Sequence, residues 1–125
     1  MRIAVLGSGT IGQSWCALFL AAGHSVVAYD PDSAMEERII DFVQVASPAL
    51  ETLGYRFAGS VEQFRFSKSA TDAVEGAQFI QENAPENEKL KKKLLKDIDK
   101  LLPKNIIIAS SSSGLLPTRI QSLCN

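Results

Sequence analysis

With 125 residues, 46% of them hydrophobic and 22% charged, the chain has the makeup of one folded domain with a real core. Its 13 Lys and Arg stand against 14 Asp and Glu, so a formal net charge of -1 gives neither nucleic acid nor an anionic membrane a field to bind to. The longest apolar runs, Ile106 to Ala109 and Ala17 to Ala22, fall far short of the roughly 20 residues that cross a bilayer.

Met1-Arg2 leads straight into a β-type run with no secretory signal pattern, and a cytoplasmic protein is expected. The two cysteines, Cys16 and Cys124, have no metal-ligand spacing and read as free thiols.

Apolar strand patterns then alternate with helical ones. Arg2 to Leu6 is a short strand that ends in glycines; Thr10 to Ala22 is helical and closes at Gly23, a left-handed cap. Ser25 to Tyr29 completes a βαβ unit. Asp32 or Ser33 is placed to cap a long helix reaching about Leu53, with Ile39, Ile40, Phe42, Val43 and Ala46 as its apolar stripe. Pro48 is expected to bend or break that helix.

After a loop through Gly59 come a strand at Phe64 to Phe66, a small helix around Thr71 to Glu75 and a strand at Gln78 to Gln81. A charged helix from about Asn87 to Leu102 gathers Leu90, Leu94, Leu95, Ile98, Leu101 and Leu102 on one face, with Lys92, Lys93, Lys96 and Lys100 solvated on the other. Ile106 to Ala109 reads as a buried strand, and Pro117 to Leu123 as the start of a further helix. The alternation predicts an α/β domain with a mostly parallel sheet and right-handed crossovers.

Directly after the first strand stands Gly7-Ser8-Gly9-Thr10-Ile11-Gly12, which fits G-x-G-x-x-G. Gly7 allows the tight turn, Gly9 leaves room for a pyrophosphate, and Gly12 lets the helix lie close on the strand. The helix amino terminus then offers free N–H groups and a positive dipole end to the phosphates. Asp30 ends the second strand, where an acid accepts both hydroxyls of an adenosine ribose and repels a 2′-phosphate. Pro31 and Asp32 supply no arginine for that phosphate, so NAD is favoured over NADP.

His24 is the one histidine, yet it precedes the second strand, at the sheet edge opposite to where ligands gather. A five-residue strand puts it on the order of 15 Å from the cofactor edge, so it reads as a turn residue. Ser110 to Ser113 follow a strand running toward the carboxyl edge and precede Gly-Leu-Leu-Pro. They read as a site loop facing nicotinamide ribose or substrate, against the alternative of a solvent-facing turn.

Gly7 to Gly12, Asp30, Phe79-Ile80-Gln81-Glu82-Asn83-Ala84-Pro85-Glu86 with Lys91 behind it, and Ala109 to Ser113 together resemble the NAD-binding domain of the 3-hydroxyacyl-CoA dehydrogenase family. Q-E-N-A-P-E, the S-P-A-L-E of Ser47 to Glu51 and S-S-S-S-G-L-L-P look most like its carnitine 3-dehydrogenase branch, with the lambda-crystallin-related sugar-acid dehydrogenases next. The resemblance implies a Rossmann-type, doubly wound sheet with helices on both faces, NAD as cofactor and oxidation of a 3-hydroxyl to a ketone by hydride transfer.

By position, it implies that Glu86 and Lys91 touch the nicotinamide half of NAD and that Ser113 hydrogen-bonds substrate or cofactor. The serine and lysine that hold CoA in acyl-CoA enzymes of this family fall here near Ala46 and Leu53, which favours a small polar, carnitine-like hydroxy acid over a 3-hydroxyacyl-CoA, the other substrate the resemblance implies. The family's catalytic histidine, its glutamate partner and the helical domain that forms the homodimer would lie beyond residue 125. On that view residues 1–125 bind NAD and turn nothing over. A non-catalytic, crystallin-like NAD-binding protein is the alternative.

Overall fold

In the computed structural model, which describes residues 1–124, ten elements alternate along the chain: β1 (Arg2–Leu6), α1 (Thr10–Ala21), β2 (Ser25–Tyr29), α2 (Met35–Thr52), β3 (Phe64–Ser67), α3 (Ala70–Val74), β4 (Phe79–Glu82), α4 (Glu88–Asp99), β5 (Ile107–Ser110) and α5 (Pro117–Ile120). The five strands form one sheet in the order β3-β2-β1-β4-β5, and every neighbouring pair is parallel. Such a sheet must be covered on both faces, and alternation along β1 shows how. Ile3 and Val5 pack with Cys16, Ala17 and Leu20 of α1 and Ile39 and Val43 of α2. Ala4 and Leu6 face the other way, onto Ala73 and Val74 of α3, Leu95 and Ile98 of α4 and Ile120 of α5. This is the expected doubly wound, Rossmann-type arrangement.

α1 ends as its glycine predicts. Gly23 adopts φ +79, its N–H donates to the Leu20 carbonyl at 2.8 Å, and the His24 N–H donates to the Phe19 carbonyl at 3.0 Å, the paired bonds of a Schellman cap. His24 is thereby held at the amino-terminal edge, with its Nδ1 3.4 Å from the Met1 amino group.

Several sequence expectations are corrected. Neither Asp32 nor Ser33 caps α2: the cap position is Ala34, and the Asp32 carboxylate instead accepts from the Ala34 N–H at 3.0 Å in a preceding turn. Pro48 does not break α2, which runs through it to Thr52. Burial of Ile39 and Val43 against the sheet outweighs one lost backbone bond. The buried stripe of α4 is centred on Lys91, Leu95 and Ile98, so Leu90 and Leu101 are 43% and 57% exposed. β5 is an edge strand whose Ile107 is 65% exposed, not a buried one. On the outer face of α4, Lys92 pairs with Glu88 and Lys93 with Asp97, each one helical turn away.

Burial pushes the Cys16 thiol up to about 12, and burial together with Asp99 raises that of Cys124. No helix among the described residues is long and apolar enough to cross a membrane. Proline inside a helix costs roughly 3 kcal/mol relative to alanine, a figure that already includes its stiffening of the unfolded chain. Pro48→Ala is therefore expected to raise unfolding stability by about 3 kcal/mol in urea titration.

Candidate functional site

Sheet order reverses at β1, which lies between β2 and β4, and loops leaving the carboxyl ends of these strands part there. Each loop is tied to its neighbouring strand by one further ladder bond. Gly7 N donates to the Tyr29 carbonyl at 2.8 Å, Asn83 N to that of Leu6 at 2.7 Å, and Ser111 N to that of Glu82 at 2.9 Å. Between them opens a cleft of about 490 Å³ lined by the loop Gly7 to Gly12, Asp30, Asn83 to Glu86, Lys91 and Ser111.

The three glycines each answer a different demand. Gly7 has φ +90, and a Cβ on it would lie 2.7 Å from the backbone of Asn83 and Ala84. A Cβ on Gly12 would lie 2.0 Å from the Gly7 carbonyl oxygen, so α1 rests directly on the loop backbone. Gly9 has nothing within 4 Å of its missing Cβ: the space there is open cleft. No side chain caps α1 and its first turn holds no acid, so the first-turn N–H groups at Thr10, Ile11 and Gly12 are left for an anion.

Asp30 stands at the other end of this loop. Its Oδ2 accepts from Ser8 N at 2.8 Å and its Oδ1 from Asp32 N at 3.0 Å, which fixes the carboxylate while leaving each oxygen a further lone pair. Beside it lies a second, largely apolar hollow of about 450 Å³, walled by Tyr29, Pro31, Ala70, Leu90 and Leu94 and sharing Gly7, Asp30, Ala84 and Pro85 with the first. The Ser8 hydroxyl is fully buried and has no partner among the described residues.

The opposite wall is polar. Lys91, expected to touch the nicotinamide half of the cofactor, is 1% exposed and pairs with the equally buried Glu82 at 2.7 Å. It also donates to the Ala84 carbonyl at 2.8 Å. Glu86 is exposed and meets the serine loop instead: one oxygen accepts from the Ser112 hydroxyl and the other from Ser113 N at 3.2 Å. The Ser112 hydroxyl, with help from Ser113 N and Lys91, holds the Glu86 carboxyl below the usual carboxylate range. Ser111 donates to Asn83 Oδ1 at 2.7 Å, and Ser110 to Glu82 Oε2 at 2.5 Å.

Three of the four serine hydroxyls are thus tied to the β4–α4 segment. That of Ser113 is exposed with no partner among the described residues, and Ser111 rather than Ser113 lines the cleft. Sequence reasoning assigns Gln81 and Glu82 no site role, although the site loop it marks does include Ser110. The signal was there: an ionisable side chain ending a strand covered on both faces must find an opposite charge, and Lys91 is the one lysine on the buried face of the next helix.

The model of the 3-hydroxyacyl-CoA dehydrogenase NAD-binding domain matches residues 2–125. The chain belongs to that family. Among curated relatives, L-carnitine dehydrogenase of Oceanobacillus iheyensis is 42% identical over 120 residues, which are 96% of this chain and 39% of that protein. L-carnitine dehydrogenase of Bacillus cereus is 41% identical over 98% of this chain and 38% of its own. Among solved structures, an NAD+-dependent dismutase, 5-formyl-3-hydroxy-2-methylpyridine 4-carboxylic acid 5-dehydrogenase, superposes with a TM-score of 0.85 at 35% identity over 99% of this chain and 40% of that one. The chain spans less than half the length of each relative, and within the family it is the NAD-binding domain.

Two outcomes follow. Gly9→Ala should leave stability within about 1 kcal/mol of the parent in urea titration, whereas Gly12→Ala forces the Gly7 carbonyl aside and should cost about 1–3 kcal/mol. Ser112→Ala should bring the Glu86 carboxyl back up toward its ordinary value in a carboxyl NMR titration. A depressed acid contributes stability above its unfolded value and loses it as pH falls through its folded one, so the acid limb of unfolding should soften in that variant.

Proposed function

We propose that the chain is the cofactor-binding part of a cytoplasmic, NAD-dependent dehydrogenase of about the length of its relatives, which oxidises the 3-hydroxyl of a small, carnitine-like hydroxy acid. The observation that carries this is the continuity of the two hollows across Asp30. Their linings offer in succession what an extended dinucleotide needs: an apolar slot for adenine, a carboxylate for its ribose, uncapped N–H groups for the pyrophosphate and a polar wall for the nicotinamide end.

In this reading Asp30 accepts the adenosine ribose hydroxyls, and its charge excludes a 2′-phosphate. Thr10, Ile11 and Gly12 hold the pyrophosphate through the first turn of α1, where Gly9 lets it approach. Lys91 retains one N–H donor beyond the two it spends on Glu82 and Ala84, and that donor serves the nicotinamide ribose. Glu86 and Ser113 stand at the outer end of the same wall, toward the substrate. When bound, the nicotinamide supplies the hydride acceptor; the protein's part is orientation and electrostatics.

A proton acceptor for the hydroxyl comes from elsewhere in the protein, since His24 lies at the far edge of the sheet. That residue belongs to a helical substrate and homodimer domain completing the enzyme. A small substrate is supported by the names of the curated relatives. Half-buried Ala46 and exposed Leu53 offer CoA no donor and point the same way.

Calorimetric titration tests the reading. The protein is expected to bind NAD at least tenfold more tightly than NADP, a difference of about 1.4 kcal/mol, and Asp30→Ala should abolish the preference. Equal affinities in the parent, or NADP preferred, would refute the assignment of Asp30. NADH production by residues 1–125 alone with any 3-hydroxy acid would refute the division of labour.

A further inference from the structure

Glu82 closes β4 at the point where the sheet order reverses, and none of it reaches solvent. A carboxylate there is tolerated only if its charge and lone pairs are met. They are met by three separate segments. Lys91 Nζ of α4 and Ala84 N of the following loop donate to Oε1 at 2.7 and 2.6 Å, and Ser110 Oγ at the end of β5 donates to Oε2 at 2.5 Å.

Each partner is in turn one bond from the cleft wall. Lys91 also holds the Ala84 carbonyl, and Ser110 Oγ accepts from Ser112 N at 3.2 Å, which brings the Ser112 hydroxyl to Glu86. A buried ion pair that served stability alone could sit anywhere in the core; this one sits where the β4 and β5 loops must be held in register.

We infer that Glu82 is a positioning residue for the nicotinamide half of the cleft, fixing residues 83–86 and 110–113 as one wall and neutralising Lys91. The inference rests on the dinucleotide reading above. Its chemical content is that Lys91 meets the cofactor as a hydrogen-bond donor inside a neutral pair. The oxidised nicotinamide ring is cationic and the reduced ring is not, so an uncompensated ammonium beside it would favour the reduced form.

Glu82→Gln keeps the shape of the side chain, and its amide oxygen can still accept from Lys91 and Ala84. It loses the negative charge and turns an N–H₂ group toward Ser110. Wild type, Glu82→Gln and Ser110→Ala are titrated with NAD+, NADH and ADP, the last lacking the nicotinamide half altogether. The expected result for Glu82→Gln is ADP affinity within twofold of wild type and a fall of about tenfold in the ratio of NAD+ to NADH affinity.

Ser110→Ala, which leaves the charges in place at an exposed position, should weaken NAD+ and NADH alike by roughly threefold to tenfold with ADP unchanged, and it decides the matter if Glu82→Gln does not fold. An unaltered NAD+ to NADH ratio in Glu82→Gln, a proportional loss of all three ligands, or a Ser110→Ala variant with wild-type NAD+ affinity would overturn the role of Glu82 alone. A wild-type protein that binds none of the three would overturn the dinucleotide reading, and this inference with it.

Discussion

The contact on which the site depends is backbone against backbone. α1 lies so close on the Gly7 carbonyl that a methyl group at position 12 would stand 2.0 Å from the oxygen. That closeness brings the free N–H groups of the helix to the end of β1, rather than a side-chain length away from it. Gly7, at φ +90, turns the chain within one residue, and its own missing Cβ lets the β4–α4 loop press in from the other side. Gly7 and Ala84, which meet in this approach, line both hollows.

The two halves of the cleft rest on different physics. Around Tyr29, Pro31 and Leu90 the surface is apolar and open, suited to a flat ring that gains by leaving water. Across from it, Gln81, Glu82, Asn83, Lys91 and the serines exchange hydrogen bonds with one another. Such a network is costly to leave half satisfied, and once complete it holds one geometry. One half is shaped largely by apolar side chains, while the other is cross-linked by hydrogen bonds.

Much of this was legible in the sequence. The strand and helix order, the Schellman glycine at 23, the glycine loop and Asp30 all rest on local patterns with a period or a fixed offset, and these survive folding. The exposed faces of α4 and β5 are not legible in the sequence, because an apolar stripe states how much surface wants cover, not which residues receive it. Pro48 reads as a bend or break because its local penalty shows in the sequence, while the packing that carries α2 through it does not. The ion pair of Glu82 with Lys91 is half legible: an acid ending a doubly covered strand and a lysine on the buried face of α4 both show in the sequence, but only the sheet brings residues nine apart on different elements together.

Cys16 carries a consequence of another kind. Exchange with a disulfide needs a thiolate, and a thiol that ionises only near 12 is, at neutral pH, an apolar side chain with a sulfur in it. It packs between α1 and the sheet as a small apolar residue would, and Cys124, the other thiol, is held on a different part of the core. The domain therefore contains no redox-sensitive staple among its described residues. Its fold is held by packing and hydrogen bonds, which a change in glutathione poise leaves untouched.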